Sequence, residues 1–194
     1  MKEIILASNN KGKLVELRDK LEKFGINVIS QREAGIELEV EENGTTFSEN
    51  AKIKAEAIYE LTKKAVLADD SGLEVDFLDG QPGVYSHRFA GPDATDQDRN
   101  DKILELLKGV PEEKRTARFK CSICYIDEAG NINLFEGVSE GKIGTEPKGD
   151  NGFGFDPIFI CEKGKTYAEL SREEKSEVSH RGRAIEKLIK FLSK

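Results

Sequence analysis

The sequence is short of cysteine, of long apolar runs and of positive charge, and each shortage excludes a class of protein. The first apolar segment, residues 4–7, is too short for a secretory signal or a membrane span. The three cysteines, Cys121, Cys124 and Cys161, are odd in number, and no second pair completes the zinc site that Cys121 and Cys124 could begin. We therefore expect core cysteines in a reducing cytoplasm.

The shortage of positive charge also limits the possible partners. The net charge is −7, which argues against a general binder of nucleic acid or membrane surfaces, so any positive site must be local. Hydrophobic residues make up 37% and charged residues 35% of the 194, and there is no low-complexity tract. This composition predicts a globular protein of one large domain or of two lobes.

One stretch, from Val66 to Gly72, places three apolar residues before two adjacent aspartates. A strand points neighbouring side chains to opposite faces, so Asp69 and Asp70 should separate. The pattern predicts a buried strand that delivers carboxylates to the edge of a sheet, where α/β proteins bind ligands. The alternative is a strand that ends in an ordinary turn at Asp70 and Ser71.

A second feature is a strand, a polar loop and a helix start near the N-terminus. The polar residues are Ser8, Asn9, Asn10, Lys11, Gly12 and Lys13. A helix start offers N–H groups to an anion, and a bound anion would also balance the two lysines at the positive end of the helix dipole. A P-loop is excluded, because its first glycine would fall at Ala7 and its hydroxyl residue at Leu14. The segment therefore predicts a phosphate-binding loop of another kind, followed by a helix whose apolar stripe runs from Leu14 to Phe24.

Helical periodicity places a lysine on the buried face of the next helix. Thr46 and Glu49 form a capping box that opens a helix to about Lys64. At about 100° per residue, Lys54 falls within the apolar stripe of that helix. A lysine on an apolar face either has a partner or extends to the helix edge, and both interpretations stay open.

The last helix repeats this pattern. A capping box at Ser171 opens it, Arg181 falls within its apolar stripe, Lys175 at the edge of the stripe and His180 outside it. A buried-face arginine prefers a carboxylate or a phosphate as its partner.

The segment from Pro147 to Ile160 combines glycines, two phenylalanines and an aspartate. Its glycines let the backbone approach a ligand closely. Phe153 and Phe155 supply flat faces, and Asp156 supplies an acceptor, so the segment could hold a planar heterocycle. The alternative is a turn whose phenylalanines enter the core before a strand over residues 157–160.

Three further segments complete the sequence-based expectations. Residues 37–42 alternate acidic and apolar side chains. Their glutamates could form a solvated edge, or one of them could bind a metal ion together with Asp70. Residues 116–126 and 131–141 predict a long hairpin. Residues 111–115 predict a surface connection between lobes, and Arg88 could serve a site or a subunit contact, although a lone arginine more often does neither.

Together these features suit a nucleoside polyphosphate bound with magnesium. Carboxylates would bind the divalent ion, and the helix start would bind phosphate. The aromatic segment would bind the base. The cations available to such a ligand are Lys13, Lys54, Lys175 and Arg181.

The sequence resembles the inosine triphosphate pyrophosphatase family, whose members hydrolyse non-canonical purine nucleoside triphosphates. The matching segments are residues 8–13, 46–55, 68–72 and 152–157, with Lys175 and residues 179–181. They occur in the order of the family and span nearly the whole chain. The resemblance implies a single domain over residues 1–194, whose two lobes do not fold independently. It further implies an α/β fold with a long, bent, mixed β-sheet flanked by helices and a central substrate cleft, and usually a homodimer.

The resemblance also implies the role of each site residue. Asp70 would bind Mg²⁺ and act as general base, and Glu41 would be the second acidic ligand, with Glu42 not excluded. The residues implied to hold the triphosphate are Ser8, Asn9, Asn10, Lys11, Gly12 and Lys13, with Lys54 and Ser71 in support. The residues implied to hold the base are Phe153, Gly154, Phe155, Asp156, Lys175, His180 and Arg181.

The implied reaction converts ITP, dITP or XTP to the monophosphate and pyrophosphate. A 6-keto purine offers an acceptor at C6 and a donor at N1, and adenine reverses both, so donors at His180 or Arg181 with the Asp156 acceptor would favour the keto form. Two alternatives remain at this point. One is a Maf-like pyrophosphatase for pyrimidine nucleotides, and the other is a nucleotide-binding protein without turnover.

Overall fold

A computed structural model describes residues 2–193, whose six strands form one sheet in the order β2-β1-β3-β4-β5-β6. The strands are β1 (Lys2–Leu6), β2 (Ile26–Ser30), β3 (Val66–Val75), β4 (Thr116–Ile126), β5 (Ile132–Ile143) and β6 (Phe159–Ile160). β1 runs parallel to β2 and to β3, and β5 runs antiparallel to β6. The prediction of an α/β fold with a mixed sheet is confirmed.

The α-helices of the described residues are α1 (Lys11–Leu21), α2 (Phe47–Thr62), α3 (Asp96–Leu106), α4 (Arg172–Val178) and α5 (His180–Leu192). Their starts follow the sequence signals. The side chains of Asn10, Thr46, Thr95 and Ser171 each accept a backbone N–H from the first turn of their helix. Within the described residues, no helix combines the length and the hydropathy needed to span a membrane.

The chain divides into two compact units, each assembled from separate segments. Unit 1 contains residues 2–70, 121–137 and 181–193, and unit 2 contains residues 71–120 and 138–180. Residues 111–115, predicted to connect the lobes, instead lie within unit 2. Arg115 is buried there, and its guanidinium is satisfied because it donates to the carbonyl oxygens of Leu107, Ile143 and Gly144.

Unit 1 has helices on both faces of its strands. Ile4, Leu6 and Leu67 pack in one core cluster with α1 and α5, and the alternate residues, such as Ile5 and Val66, pack in a second cluster with α2. Strands covered on both faces read as continuous apolar runs, which explains the uninterrupted pattern of β1 and early β3.

Unit 2 has one core cluster, which includes residues of β3, α3, β4 and β5 together with Phe155 and Tyr167. Its sequence-based expectations were only partly correct. The hairpin strands β4 and β5 are neighbours, as predicted. The strand predicted over residues 157–160 covers only Phe159–Ile160. Gly83–Arg88 forms a 3₁₀-helix.

The cysteines are free and buried, as predicted. Cys121 and Cys124 lie in different clusters, on opposite faces of β4, so their CxxC spacing does not bring the two sulfurs together. Burial raises the pKa of each of these two thiols to about 12, which leaves both as unreactive core residues.

Candidate active site

β3 continues through both aspartates instead of ending at them. It extends from Val66 to Val75, so the carboxylates lie in the middle of a strand, and both the predicted sheet edge and the alternative turn are wrong. The alternation of the strand still separates the two side chains. Asp69 shares the face of Leu67, which α1 and α5 cover, and Asp70 shares the face of Val66 and Ala68, which α2 covers.

Asp69 is the centre of a buried ion-pair group in unit 1. Its side chain is fully buried, with Lys13 Nζ 3.2 Å from Oδ1 and Arg181 Nε 2.9 Å from Oδ2. Arg181 also donates to Glu16 on α1 over 2.5 Å. Burial alone would raise the pKa of Asp69, but Lys13 and Arg181 hold it well below its usual range. Asp69 is therefore a permanent anion that fixes two cations.

Asp70 lies in a different environment on the opposite face. Lys54 Nζ is 3.6 Å from Asp70 Oδ1, and the same lysine is 3.2 Å from Glu42 Oε1. Burial raises the pKa of Asp70, and the nearby Glu42 raises it further, against the opposing effect of Lys54. The amide of Asn50 also stabilises the Asp70 carboxylate. Asp70 is thus a carboxyl group whose charge is incompletely compensated.

Two lysines converge on one backbone atom of β3 from opposite faces. Lys54 Nζ lies 2.8 Å, and Lys13 Nζ 3.4 Å, from the carbonyl oxygen of Asp69. Lys54 is buried and has carboxylate partners, so of the two interpretations left open by the sequence, the partnered lysine is correct. Burial alone would lower the pKa of Lys54, but Asp70 and Glu42 outweigh it and raise that pKa. Lys54 is therefore held as a cation beside Asp70 and Glu42.

The Asp70 side of β3 fits a hard divalent cation. Oδ2 of Asp70 is buried and, among residues 2–193, has no hydrogen-bond partner. Glu42 is half-buried and faces the same lysine, whereas Glu41 is exposed. The described residues contain no cluster of three or more His, Cys, Asp or Glu that could hold a metal by itself. A site of one or two carboxylates completed by phosphate oxygens and water is the usual arrangement for Mg²⁺.

The polar loop after β1 precedes α1, as predicted. Ser8 Oγ accepts the Asn10 N–H over 3.1 Å, and Asn10 Oδ1 accepts the Lys13 N–H over 3.1 Å. Asn9 and Lys11 are exposed, and Gly12 lies in the first turn of α1. The apolar stripe of α1 ends earlier than predicted, because Phe24 is exposed in the 3₁₀ turn after Leu21.

In unit 2 the predicted base-binding loop is a compact turn centred on Asp156. Asp156 Oδ2 accepts the Phe153 N–H over 2.9 Å and the Lys175 ammonium over 2.6 Å. Gly152 has φ +77°, and a Cβ there would lie 1.9 Å from Asp156 Oδ2, so only glycine fits. Phe155 is buried in the core, as the alternative interpretation expected of both phenylalanines, whereas Phe153 is half-buried with Lys175 Nζ 4.8 Å from its ring centroid.

The helix predicted to begin at Ser171 is interrupted. α4 ends at Val178, Ser179 has an extended backbone with ψ 153°, and α5 begins at His180. The break invalidates the angular count for His180, which is buried instead of lying outside the stripe. In unit 2 its ring stacks on Phe119 at 4.6 Å and lies nearly parallel to Tyr167.

The structure groups the predicted site residues by unit. Unit 1 holds Ser8, Asn9, Asn10, Lys11, Gly12, Lys13, Glu41, Lys54, Asp70 and Arg181, and unit 2 holds Ser71, Phe153, Gly154, Phe155, Asp156, Lys175 and His180. Sequence reasoning missed the roles of Asp69 and Glu16 as partners of Arg181. Strand alternation could have paired Asp69 with the face of α1 and α5, whereas no local pattern marks Glu16.

Fold and site together define a class. An α/β chain in which buried carboxylates and lysines converge beside a helix start is suited to handling phosphoanhydrides or phosphate esters.

The comparisons make this class specific. A family model described as the Ham1 family matches residues 4–191, and the chain belongs to this family. It is similar to the dITP/XTP pyrophosphatase of Bacillus subtilis (strain 168), at 49% identity over 99% of this chain and 98% of the relative. It is also similar to the dITP/XTP pyrophosphatase of Escherichia coli O157:H7, at 47% identity over 99% and 98% of the two chains. The solved structure of a HAM1 protein from Coxiella burnetii has a TM-score of 0.89 and 44% identity over 100% of this chain and 99% of that chain. Family membership, predicted from the motifs, is confirmed.

Proposed function

We propose that this protein hydrolyses non-canonical purine nucleoside triphosphates, namely dITP, XTP and ITP, to the monophosphate and pyrophosphate. The relatives from Bacillus subtilis and Escherichia coli are named dITP/XTP pyrophosphatases and match nearly the full chain. The observation that carries the chemistry is Asp70, whose buried Oδ2 has no partner among residues 2–193 while Lys54 and Glu42 lie beside it.

The proposed cofactor is Mg²⁺, held by Asp70 and by Glu42, with Glu41 as the residue implied by the sequence resemblance. We favour Glu42 because its carboxylate shares Lys54 with Asp70, whereas Glu41 is exposed. When bound, the ion would neutralise phosphate charge and polarise the phosphoanhydride.

The residues of unit 1 have distinct roles in this proposal. Lys13, Lys54 and the helix start at Ser8–Gly12 bind the triphosphate, whose charge they offset. Ser71, the first residue of unit 2, keeps the supporting role that the sequence resemblance implies. Asp70 accepts a proton from the water whose oxygen attacks the α-phosphorus. As that bond forms, the bond from the α-phosphorus to the bridging oxygen breaks, and pyrophosphate leaves. Asp70 suits this role better than Asp69, because Asp70 Oδ2 has no hydrogen-bond partner among residues 2–193, whereas Lys13 and Arg181 engage the Asp69 carboxylate.

Unit 2 supplies the proposed base site, through the loop from Phe153 to Asp156 with Lys175 and His180. Phe153 offers a half-buried ring, and Asp156 and Lys175 form a fixed acceptor and donor pair. Such polar groups reject a base that would leave them unpaired. The predicted role of Arg181 in base binding remains a prediction, and its contacts within unit 1 support a structural role as well.

The two alternatives are less well supported. A Maf-like pyrimidine pyrophosphatase is not favoured, since the family match and the named relatives indicate purine substrates. A binding protein without turnover would not need an uncompensated carboxylate beside the lysines.

The first test replaces the proposed base. Asp70→Asn should lower the rate of pyrophosphate release from dITP and XTP about 10²-fold or more, because the amide cannot accept the proton. The measurement is a panel of ITP, XTP, dITP, GTP, ATP and UTP, with and without Mg²⁺, scored for pyrophosphate.

The matched control is Asp19→Asn, since Asp19 is exposed on α1. This variant should keep wild-type rates, and both variants should keep the wild-type unfolding midpoint. Near-normal hydrolysis by Asp70→Asn would refute the mechanism, and wild-type activity confined to UTP would favour the pyrimidine alternative.

We also propose that the protein works in the cytoplasm as a homodimer. Free buried cysteines suit a reducing compartment, and the homodimer follows from the family resemblance. Light scattering of the purified protein would measure the subunit number.

A further inference from the structure

α3 holds the backbone of Gly154, in the base-binding loop, through both its N–H and its carbonyl oxygen. The Gly154 N–H donates to Asp96 Oδ2 over 2.8 Å, and the Gly154 carbonyl oxygen accepts from Asn100 Nδ2 over 3.0 Å. Asp96 and Asn100 are four residues apart on α3, so they face the same side of the helix. Gly154 has φ +62°, a conformation that glycine adopts without strain.

The acceptor of this pair is itself fixed. Arg99 donates to Asp96 Oδ1 over 2.5 Å and to the carbonyl oxygens of His87 and Ala94. Burial would raise the pKa of Asp96, but the hydrogen bonds from Arg99 and Gly154 lower it overall. Asp96 therefore stays ionised and holds Gly154 with a charge-assisted bond, which is stronger than a neutral one.

The donor of the pair, Asn100, places an energetically unfavourable polar atom in the protein interior. Asn100 is 3% exposed, and its Oδ1 is a buried oxygen without a hydrogen-bond partner in the described part of the chain. The orientation of the amide follows from chemistry, since only the NH₂ group can donate to a carbonyl oxygen. An apolar side chain would avoid burying an unpaired oxygen, so packing alone does not account for asparagine here.

The rest of the loop is fixed from another element. Asp156 accepts from Phe153 N and from Lys175 Nζ on α4. The loop from Gly152 to Asp156 is thus held by α4 through Asp156 and by α3 through Gly154. Without α3, Gly154 would lose the side-chain hydrogen bonds to its N–H and to its carbonyl oxygen.

We propose that Asp96 and Asn100 are positioning residues that fix the base-binding loop and thereby set discrimination between purine bases. This inference rests on the proposed function, because it assigns the loop to the base of a nucleotide. Recognition depends on the placement of Phe153, Asp156 and Lys175, and small displacements of such groups reduce selectivity sharply.

The test removes the donor without changing the side-chain volume much. Asn100→Leu deletes the bond to Gly154 without adding charge, and Asn100→Asp places a carboxylate against the same carbonyl oxygen. In each variant the kcat/KM ratio for XTP over ATP should fall about tenfold, which corresponds to about 1.4 kcal/mol. Most of that loss should appear as a higher KM for XTP.

Two further measurements separate positioning from general loosening. Inhibition by inorganic tripolyphosphate reports on the phosphate-binding residues and should stay at its wild-type Ki. Asp101→Asn is the control, because Asp101 is exposed on α3 and its carboxylate contacts Gln97 instead of the loop. It should keep the wild-type ratio.

The outcomes distinguish this inference from the proposed function. An unchanged ratio in both Asn100 variants, or a Ki for tripolyphosphate that rises in parallel with the KM, would overturn the positioning role. If the wild-type protein hydrolyses no nucleotide, the proposed function fails, and the comparison moves to binding affinities for inosine and adenosine monophosphates. A wild-type protein with equal affinity for those two ligands would overturn the positioning role as well.

Discussion

Two neighbouring residues, Asp69 and Asp70, have carboxyl groups in contrasting electrostatic environments. They share a strand and its burial, but alternation places Asp69 against Lys13 and Arg181 and places Asp70 against Lys54 and Glu42. The pKa of Asp69 is lowered and that of Asp70 is raised. A pair of carboxylates with separated pKa values is a recurring sign of divided roles in a site. Here Asp69 fixes Lys13 and Arg181, and Asp70 is proposed to act as the general base.

At the same scale, the second metal ligand can be decided by two single substitutions. Glu42→Gln should raise the Mg²⁺ concentration for half-maximal pyrophosphate release by about tenfold or more, because it removes a carboxylate beside Asp70. Glu41→Gln, one residue away on an exposed side chain, should leave that concentration unchanged. A larger effect at Glu41 than at Glu42 would return the role to the residue implied by the resemblance.

At the scale of elements, the loop from Gly152 to Asp156 depends on a close approach that only glycine permits. Its backbone is αL at Gly152, and Asp156 Oδ2 occupies the space that a Cβ would need. The carboxylate cannot move freely, since Phe153 N and Lys175 Nζ both donate to it.

Gly152→Ala should therefore destabilise the protein more than a positive φ alone explains. Gly164→Ala is the matched control, because Gly164 has φ +72° with open space around its Cα. The control should lose about 1–2 kcal/mol from the αL penalty. Gly152→Ala should lose about 1–3 kcal/mol more from the added clash. Urea unfolding of both variants measures the difference in stability. Equal losses in the free energy of unfolding would show that the Asp156 carboxylate moves aside without an energetic penalty.

At the scale of the molecule, both units are assembled from segments distant in sequence. Unit 1 uses three segments and unit 2 uses two, so neither corresponds to a continuous stretch that could be excised. We propose that the two units fold together as a single domain. Within unit 1, Arg181 of the last segment pairs with Glu16 and Asp69 of the first.

Removal of this arginine should be among the costly single substitutions in unit 1. Arg181→Met leaves the fully buried Asp69 with a missing counter-charge, and breaking a buried pair in this way costs about 3–5 kcal/mol. Lys52→Met, which breaks an exposed pair with Glu56, should cost only about 0.3–0.5 kcal/mol. The free energy of unfolding in urea gives both values, and a loss for Arg181→Met no greater than that of the control would show that the buried pair contributes nothing.

The sequence by itself determined the features that depend on local periodicity and local chemistry. These include the α/β class, the hairpin of β4 and β5, the capped helix starts, the inward position of Lys54 and the separation of the two aspartates. Motifs in a fixed order also determined the family. Each follows from a repeat of two or 3.6 residues, or from a short pattern, which a single chain displays without any partner.

Only the tertiary structure decided which charges meet. Glu16 and Arg181 are 165 positions apart, and Arg181 and Asp69 are 112 positions apart, so no local pattern pairs them. The break at Ser179 also escaped prediction, because the residues around it are apolar or charged at helical spacing and contain neither glycine nor proline before Gly182. Burial then set the protonation of each carboxyl group, since desolvation and neighbouring charge depend on atoms brought together by the fold. The sequence thus placed the two aspartates on a strand, and tertiary packing gave their carboxyl groups different partners and opposite pKa shifts.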